Sequence, residues 1–159
     1  MHNPYPIPRV RDQFRLIPPI TGGMEGDDPD DMLERRDKQP DARKRVLLVE
    51  DEFLLSAVVS ADLQEFGYDV LGPFATVTHA MEAARSESFD GAILDINLKG
   101  ELVYPLAEEL ARQGIPFLFL SGYEASNMPV SFRSHARLAK PADPAVLLRA
   151  VQIMLRAGF

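Results

Sequence analysis

The chain has 159 residues, 46% of them apolar, with a formal net charge of -7, 13 prolines and no cysteine. A length of this order builds one domain rather than two. The absent thiols exclude a disulfide framework and suit a reducing cytoplasm. The acidic balance excludes nonspecific attraction to nucleic acid or to a membrane surface. Nothing approaches the roughly 18 apolar residues of a membrane span, and the opening MHNPYPIPRV, broken by prolines, does not read as a secretory signal.

Residues 1–43 hold 7 of the 13 prolines and show neither helical nor strand periodicity. They read as a flexible, Pro-rich and acidic extension that cannot offset its chain entropy by burial. Within it DDMLERRD offers a short helix on binding a partner, and Met24 and Met32 offer alternative starts. From residue 44 to 159 short apolar runs alternate with amphipathic stretches, the pattern of repeated βα units. VLLVE (46–50) is a buried parallel strand. Phe53 to Phe66 reads as a helix with Leu54, Leu55, Val58, Ala61, Leu63 and Phe66 at helical spacing, closed by Gly67. YDVLG (68–72) is the second strand. Thr76 caps a helix with Val77, Ala80, Met81 and Ala84 on one face. GAILD (91–95) is the third strand, followed by a helix in LVYPLAEELARQG with Pro105 in its first turn. PFLFLS (116–121) is the fourth strand. The interval 124–133, which contains Pro129, predicts only a short or frayed helix. ARLAK (136–140) is the fifth strand, and Asp143-Pro144 opens a last helix that buries Val146, Leu147, Ala150, Val151, Met154 and Leu155 and ends at Gly158. The fold expected is α/β: a flavodoxin-like, doubly wound sheet of five parallel strands in the order 2-1-3-4-5, with helices on both faces.

In such a sheet the site lies at the carboxyl ends of the strands. Those ends carry Glu50 and Asp51, Asp95, Ser121 and Lys140. Carboxylates ~5 Å apart repel by about 3 kcal/mol per pair at an effective dielectric of ~20, and one lysine does not balance three acids. An all-oxygen site without thiols favours Mg²⁺, with Mn²⁺ as the alternative. Asp51 and Asp95 are the direct-ligand candidates, Glu50 acts through water, and the backbone carbonyl of Asn97 completes the set where the chain turns over the pocket. A metal beside a carboxylate, a hydroxyl and a lysine points to phosphoryl chemistry. Asp95 is placed as nucleophile, with the metal, Lys140 and Ser121 each meeting one phosphoryl oxygen.

VLLVEDE, AILDINLKG, FLSG and LAKP, in this order and at these strand ends, make residues 44–159 resemble a two-component response-regulator receiver domain. The resemblance implies phosphoryl transfer to Asp95 from a phosphohistidine on a sensor kinase or a phosphotransfer protein, and a cis Lys140-Pro141 peptide bond. PFLFLSGYE and INLKGELVYPLAEEL further resemble the Phe-Ala-Thr-Gly type of single-domain receiver of alphaproteobacteria, which implies a kinase of the HWE or HisKA2 kind. Leu120 and Ser121 depart from that subgroup's Ala-Thr. Receivers also carry a switch aromatic three residues before the lysine, where this chain has Arg137. We therefore expect phosphorylation to order residues 122–135, with Gly122 as hinge.

Blander readings exist for each residue. Asp51 and Glu52 can cap the first helix and suit its positive dipole, and for Glu52 that role is expected alone. Ser121 can satisfy a loop backbone, and Lys140 can be a solvated charge. His79 and His135 read as surface or rim residues, Arg137 as a solvated edge residue, and Tyr123 as a border of the pocket. A haloacid-dehalogenase-type phosphohydrolase needs a second acid two residues after its nucleophile, where this chain has Asn97, so no enzymatic output is expected. The remaining rival is a receiver-like docking module that acts without phosphorylation. The last helix closes the fold at Phe159, so output is expected through protein contacts rather than DNA.

Overall fold

The computed structural model describes residues 43–122 and 128–157. The readings of residues 1–42, of Tyr123, of residues 124–127 and of Gly158 lie outside the described residues.

The strands form where the sequence offers continuous apolar runs: β1 (Arg45–Val49), β2 (Asp69–Phe74), β3 (Gly91–Asp95), β6 (Phe117–Ser121) and β7 (Arg137–Ala139). They build one parallel sheet in the order β2-β1-β3-β6-β7. With β6 and β7 as fourth and fifth strands, this is the expected 2-1-3-4-5 order. Side chains alternate between the faces. Leu47, Val49, Ala92, Leu94, Phe117 and Phe119 enter one core with α2 (Val77–Ser86) and α3 (Tyr104–Arg112). Val46, Leu48, Ile93, Leu118, Leu120 and Leu138 enter the other with α1 (Phe53–Glu65) and α4 (Pro144–Ala157). Among the described residues no helix is long and apolar enough to cross a membrane.

Helix starts follow their caps. Thr76 accepts the backbone N–H of His79, Pro105 sits in the first turn of α3, and Asp143 Oδ1 accepts the N–H groups of Ala145 and Val146 at 2.9 and 3.2 Å. The phase of α1 differs from expectation. Ser56, Val59 and Leu63 are its buried residues, whereas Leu54 is 72% and Val58 54% exposed and Phe66 also faces solvent. Apolar residues run all round this helix, so periodicity alone has two solutions. Ser56 is tolerated inside because its hydroxyl donates to Phe53 O at 2.9 Å.

Two further differences bear on the site. β2 runs past the predicted end at residue 72 to Phe74: Leu47 pairs with Leu71 and Val49 with Phe74, so an extra residue bulges at the cis Gly72-Pro73 bond. After β3 the chain forms a small antiparallel hairpin of β4 (Asn97–Leu98) and β5 (Glu101–Leu102), turning through Lys99 at φ 52 and Gly100 at φ 96. Two consecutive left-handed residues suit the tight turn of a two-residue hairpin. In the 124–133 interval, the described part holds a single 3-10 turn, Val130–Phe132, starting after Pro129.

Candidate phosphoryl and metal site

The parallel sheet brings the carboxyl ends of β1, β3, β6 and β7 side by side, with β2 outside them. Glu50 and Asp51 follow β1, Asp95 ends β3, Ser121 ends β6 and Lys140 follows β7. One carboxylate oxygen from each of Glu50, Asp51 and Asp95 lies within 4.8 Å of the others. Glu50 and Asp95 are 1% and 4% exposed, while Asp51 is half-buried at the mouth.

Among the described residues Lys140 is the cation of this cluster. Its Nζ lies 2.6 Å from Glu50 Oε2 and 2.7 Å from Asp95 Oδ2. Its backbone N–H donates to Ser121 O at 2.8 Å, which fixes the half-buried Ser121 beside it through the main chain. The Lys140-Pro141 bond is cis, as the resemblance implied. Burial raises the Glu50 carboxyl above its ordinary range, against the opposing hydrogen bond from Lys140. For Lys140 burial acts to lower the pKa, but the hydrogen bonds to Asp95 and Glu50 together hold it above its ordinary value. With all three acids ionised, one ammonium leaves two negative charges in a largely buried pocket. Such a donor set, all oxygen and short of positive charge, fits a hard divalent cation.

The loop after β3 is tied to the same pocket. Asn97 N–H donates to Asp95 Oδ1 at 3.3 Å, and Asn97 Oδ1 accepts Gly100 N–H at 2.6 Å. Glu52 stands at the N-cap of α1 without a side-chain cap bond. The Glu50 carboxylate instead takes the Glu52 N–H, at 3.0 Å, so the helix start and the acid cluster share one group.

Sequence reasoning missed several neighbours. It placed Lys140 in one pocket with the acids and against a phosphoryl oxygen, without its direct contacts to Glu50 and Asp95. It read His135 as a rim residue, yet the imidazole stacks on Phe117 with centroids 4.8 Å apart and an interplanar angle of 12°. Burial lowers its pKa. His79 is exposed, as expected, with Nδ1 3.1 Å from Thr76 Oγ1. Arg137 is half-buried rather than solvated, with Nη1 3.5 Å from Met128 Sδ. The exposed Phe53 and Leu54 at the start of α1, 80% and 72% exposed, border Asp51 in sequence. Their signal was a pair of large apolar residues directly after the acids.

Comparison with known proteins bears on this arrangement. Residues 46–152 match the family described as the response regulator receiver domain. The solution structure of SdrG from Sphingomonas melonis Fr1 is 32% identical, with a TM-score of 0.65, covering 73% of this chain and 99% of that one. The BeF3-activated conformation of SdrG from Pseudomonas melonis Fr1 is also 32% identical, with a TM-score of 0.62 and the same coverage. The crystal structure of a CheY-like receiver domain protein from Methanospirillum hungatei JF-1 is 26% identical, with a TM-score of 0.66, covering 74% of this chain and 97% of that one. A comparison with curated protein sequences gave no match. The match over residues 46–152, on a five-stranded sheet with an acid cluster and a lysine at its strand ends, leads to one conclusion: the chain belongs to the response regulator receiver domain family.

Proposed function

We propose that this protein is a phosphoacceptor of a two-component relay, taking a phosphoryl group on Asp95 in a Mg²⁺-dependent reaction. The observation that carries the reading is the buried Asp95 carboxylate held 2.7 Å from Lys140 Nζ inside a cluster of three acids. Asp51 and Asp95 would hold the ion directly, Glu50 through water, and the Asn97 carbonyl would add a fourth oxygen; Mn²⁺ suits the same donors. Bound there, the cation supplies charge neutralisation for the transferring phosphoryl group.

This chain's own residues do the rest. An Asp95 oxygen attacks the phosphorus of a phosphohistidine, the O–P bond forms, the P–N bond breaks, and the imidazole leaves with its electron pair and takes a proton. Lys140, already in contact with Asp95, meets one phosphoryl oxygen, and Ser121 donates a hydrogen bond to another. A carboxylate nucleophile needs no general base. The exposed Phe53, Leu54 and Val58 on α1, the helix that follows Glu50 and Asp51 in sequence, suit an apolar docking surface for the phosphodonor, a sensor histidine kinase or a phosphotransfer protein.

The finer reading is a single-domain receiver of the Phe-Ala-Thr-Gly type, paired with a kinase of the HWE or HisKA2 kind, acting in the cytoplasm through protein contacts. Its support is the run PFLFLSGYE with INLKGELVYPLAEEL. Residues 44–159 form the receiver and residues 1–43 an extension to it. Treatment with acetyl phosphate and Mg²⁺ tests the core of the proposal by a shift on a phosphate-affinity gel. The native protein shifts, and Asp95→Asn does not. An unshifted native protein would instead favour the docking module.

A further inference from the structure

Position 137, where a receiver carries its switch aromatic, is occupied by an arginine whose Nη1 lies 3.5 Å from Met128 Sδ. Arg133 Nε donates to Met128 O at 3.2 Å. The guanidinium at position 137 is thus engaged with Met128, and no ring is available there to turn toward Ser121.

Another ring lies between the acceptor and that stretch. Ile96, the residue after Asp95, is clasped on two sides: its N–H donates to Leu120 O at 3.2 Å, and its carbonyl accepts Val103 N–H at 3.0 Å. Tyr104 is the next residue after Val103. Its ring stacks on Phe132 with centroids 5.6 Å apart and an interplanar angle of 11°. It also meets Phe119, two residues before Ser121, edge to face at 6.2 Å. Phe132 is 3% exposed and touches Phe117, Phe119 and His135 edge to face as well. Ile96 and Tyr104 pack against the same core that holds Met128 and Phe132. One hydrogen-bonded clasp and one ring stack therefore join Asp95 to the segment that follows β6.

We propose that the Tyr104–Phe132 ring pair relays the state of Asp95 to residues 128–135, replacing the aromatic absent from position 137. The inference rests on Asp95 being the phosphoacceptor. A phosphoryl group on Asp95 disturbs the Asn97 N–H contact to Oδ1 and the Lys140 contact to Oδ2, both made by the unmodified carboxylate. The Ile96–Val103 clasp begins at the adjacent residue and passes the displacement to Tyr104. Close-packed rings respond by changing register rather than deforming smoothly, so a small shift at Tyr104 repositions Phe132 and the turn that carries it.

The experiment uses the full chain labelled at its methionine methyl groups, with the Met128 resonance assigned by Met128→Leu. Beryllium fluoride with Mg²⁺ serves as the phosphoryl mimic, and ¹⁹F spectra report its binding at Asp95. We expect bound fluoride and a displaced Met128 methyl signal in the native protein and in Tyr104→Phe, which keeps the ring. In Tyr104→Leu we expect fluoride still bound at Asp95 with loss of the Met128 response. Equal Met128 displacement in Tyr104→Leu and native protein overturns the relay. So does bound fluoride with a motionless Met128 signal in the native protein, which decides the matter even where Tyr104→Leu fails to fold. Absence of bound fluoride in the native protein overturns the acceptor reading, and the relay with it.

Discussion

Asp51→Asn separates the stability of this protein from its function. The Asp51 carboxylate has an oxygen within 4.8 Å of those of Glu50 and Asp95, and two unit charges at 4.8 Å repel by about 3.5 kcal/mol at an effective dielectric of ~20. Half-exposure and salt reduce that figure, and the Lys140 ammonium offsets part of the charge on both neighbours. Asparagine also gives up a favourable charge ahead of the α1 N-terminus, about 0.3–1 kcal/mol. The balance is a gain of about 1 kcal/mol in unfolding free energy for Asp51→Asn without divalent cation. Mg²⁺ at about 100 times its Kd should add about 2.7 kcal/mol to the native protein and far less to the variant. Urea titrations followed by circular dichroism, in EDTA and in Mg²⁺, read both quantities. A variant less stable than the native protein in EDTA, or stabilised equally by Mg²⁺, would refute the reasoning.

Lys140→Met leaves two buried carboxylates without their cation and should cost about 3–5 kcal/mol at neutral pH, read by the same titration. Partial burial holds His135 below its ordinary 6.5, so the unfolded chain binds more protons there and stability falls as pH drops from 6.5 through the folded value. His135→Phe keeps a ring on Phe117 and should flatten the stability profile below that pH; an unchanged slope contradicts the assignment. Gly72 has φ +116, and a Cβ there would lie 2.6 Å from Leu48 O. Gly72→Ala should therefore lower stability by about 2 kcal/mol or more, measured as a lower urea midpoint.

Most of the fold was legible because its signals are local and agree with one another. VLLV, AILD and FLFL are continuous apolar runs that only a doubly covered sheet buries, and Thr76 and Asp143 mark helix starts by side-chain chemistry. The acid and lysine positions followed from the rule that sites lie at the carboxyl ends of strands. What was not legible depended on tertiary choice. The phase of α1 was only partly right: Leu55 and Leu63 reach the core, but Leu54, Val58 and Phe66 are exposed, because apolar residues surround the helix and packing selects Val59 instead. The hairpin at 97–102 has strands of two residues, too short for any periodicity, and only Gly100 hinted at a turn. The ring contacts of His135 and Tyr104 join residues on different elements, which spacing along one chain does not reveal. Lys140 was found by its place before Pro141, but its second carboxylate partner came only with the geometry.

The central claim is that Asp95 carries the phosphoryl group. After incubation with acetyl phosphate and Mg²⁺, borohydride reduction converts an aspartyl phosphate to homoserine, and peptide mass spectrometry locates the converted residue. The account predicts homoserine at position 95, dependent on Mg²⁺ and diminished in Asp51→Asn. Homoserine at Asp51, or the corresponding 2-amino-5-hydroxypentanoate at Glu50, with Asp95 unmodified, or no conversion at any acid, would contradict it.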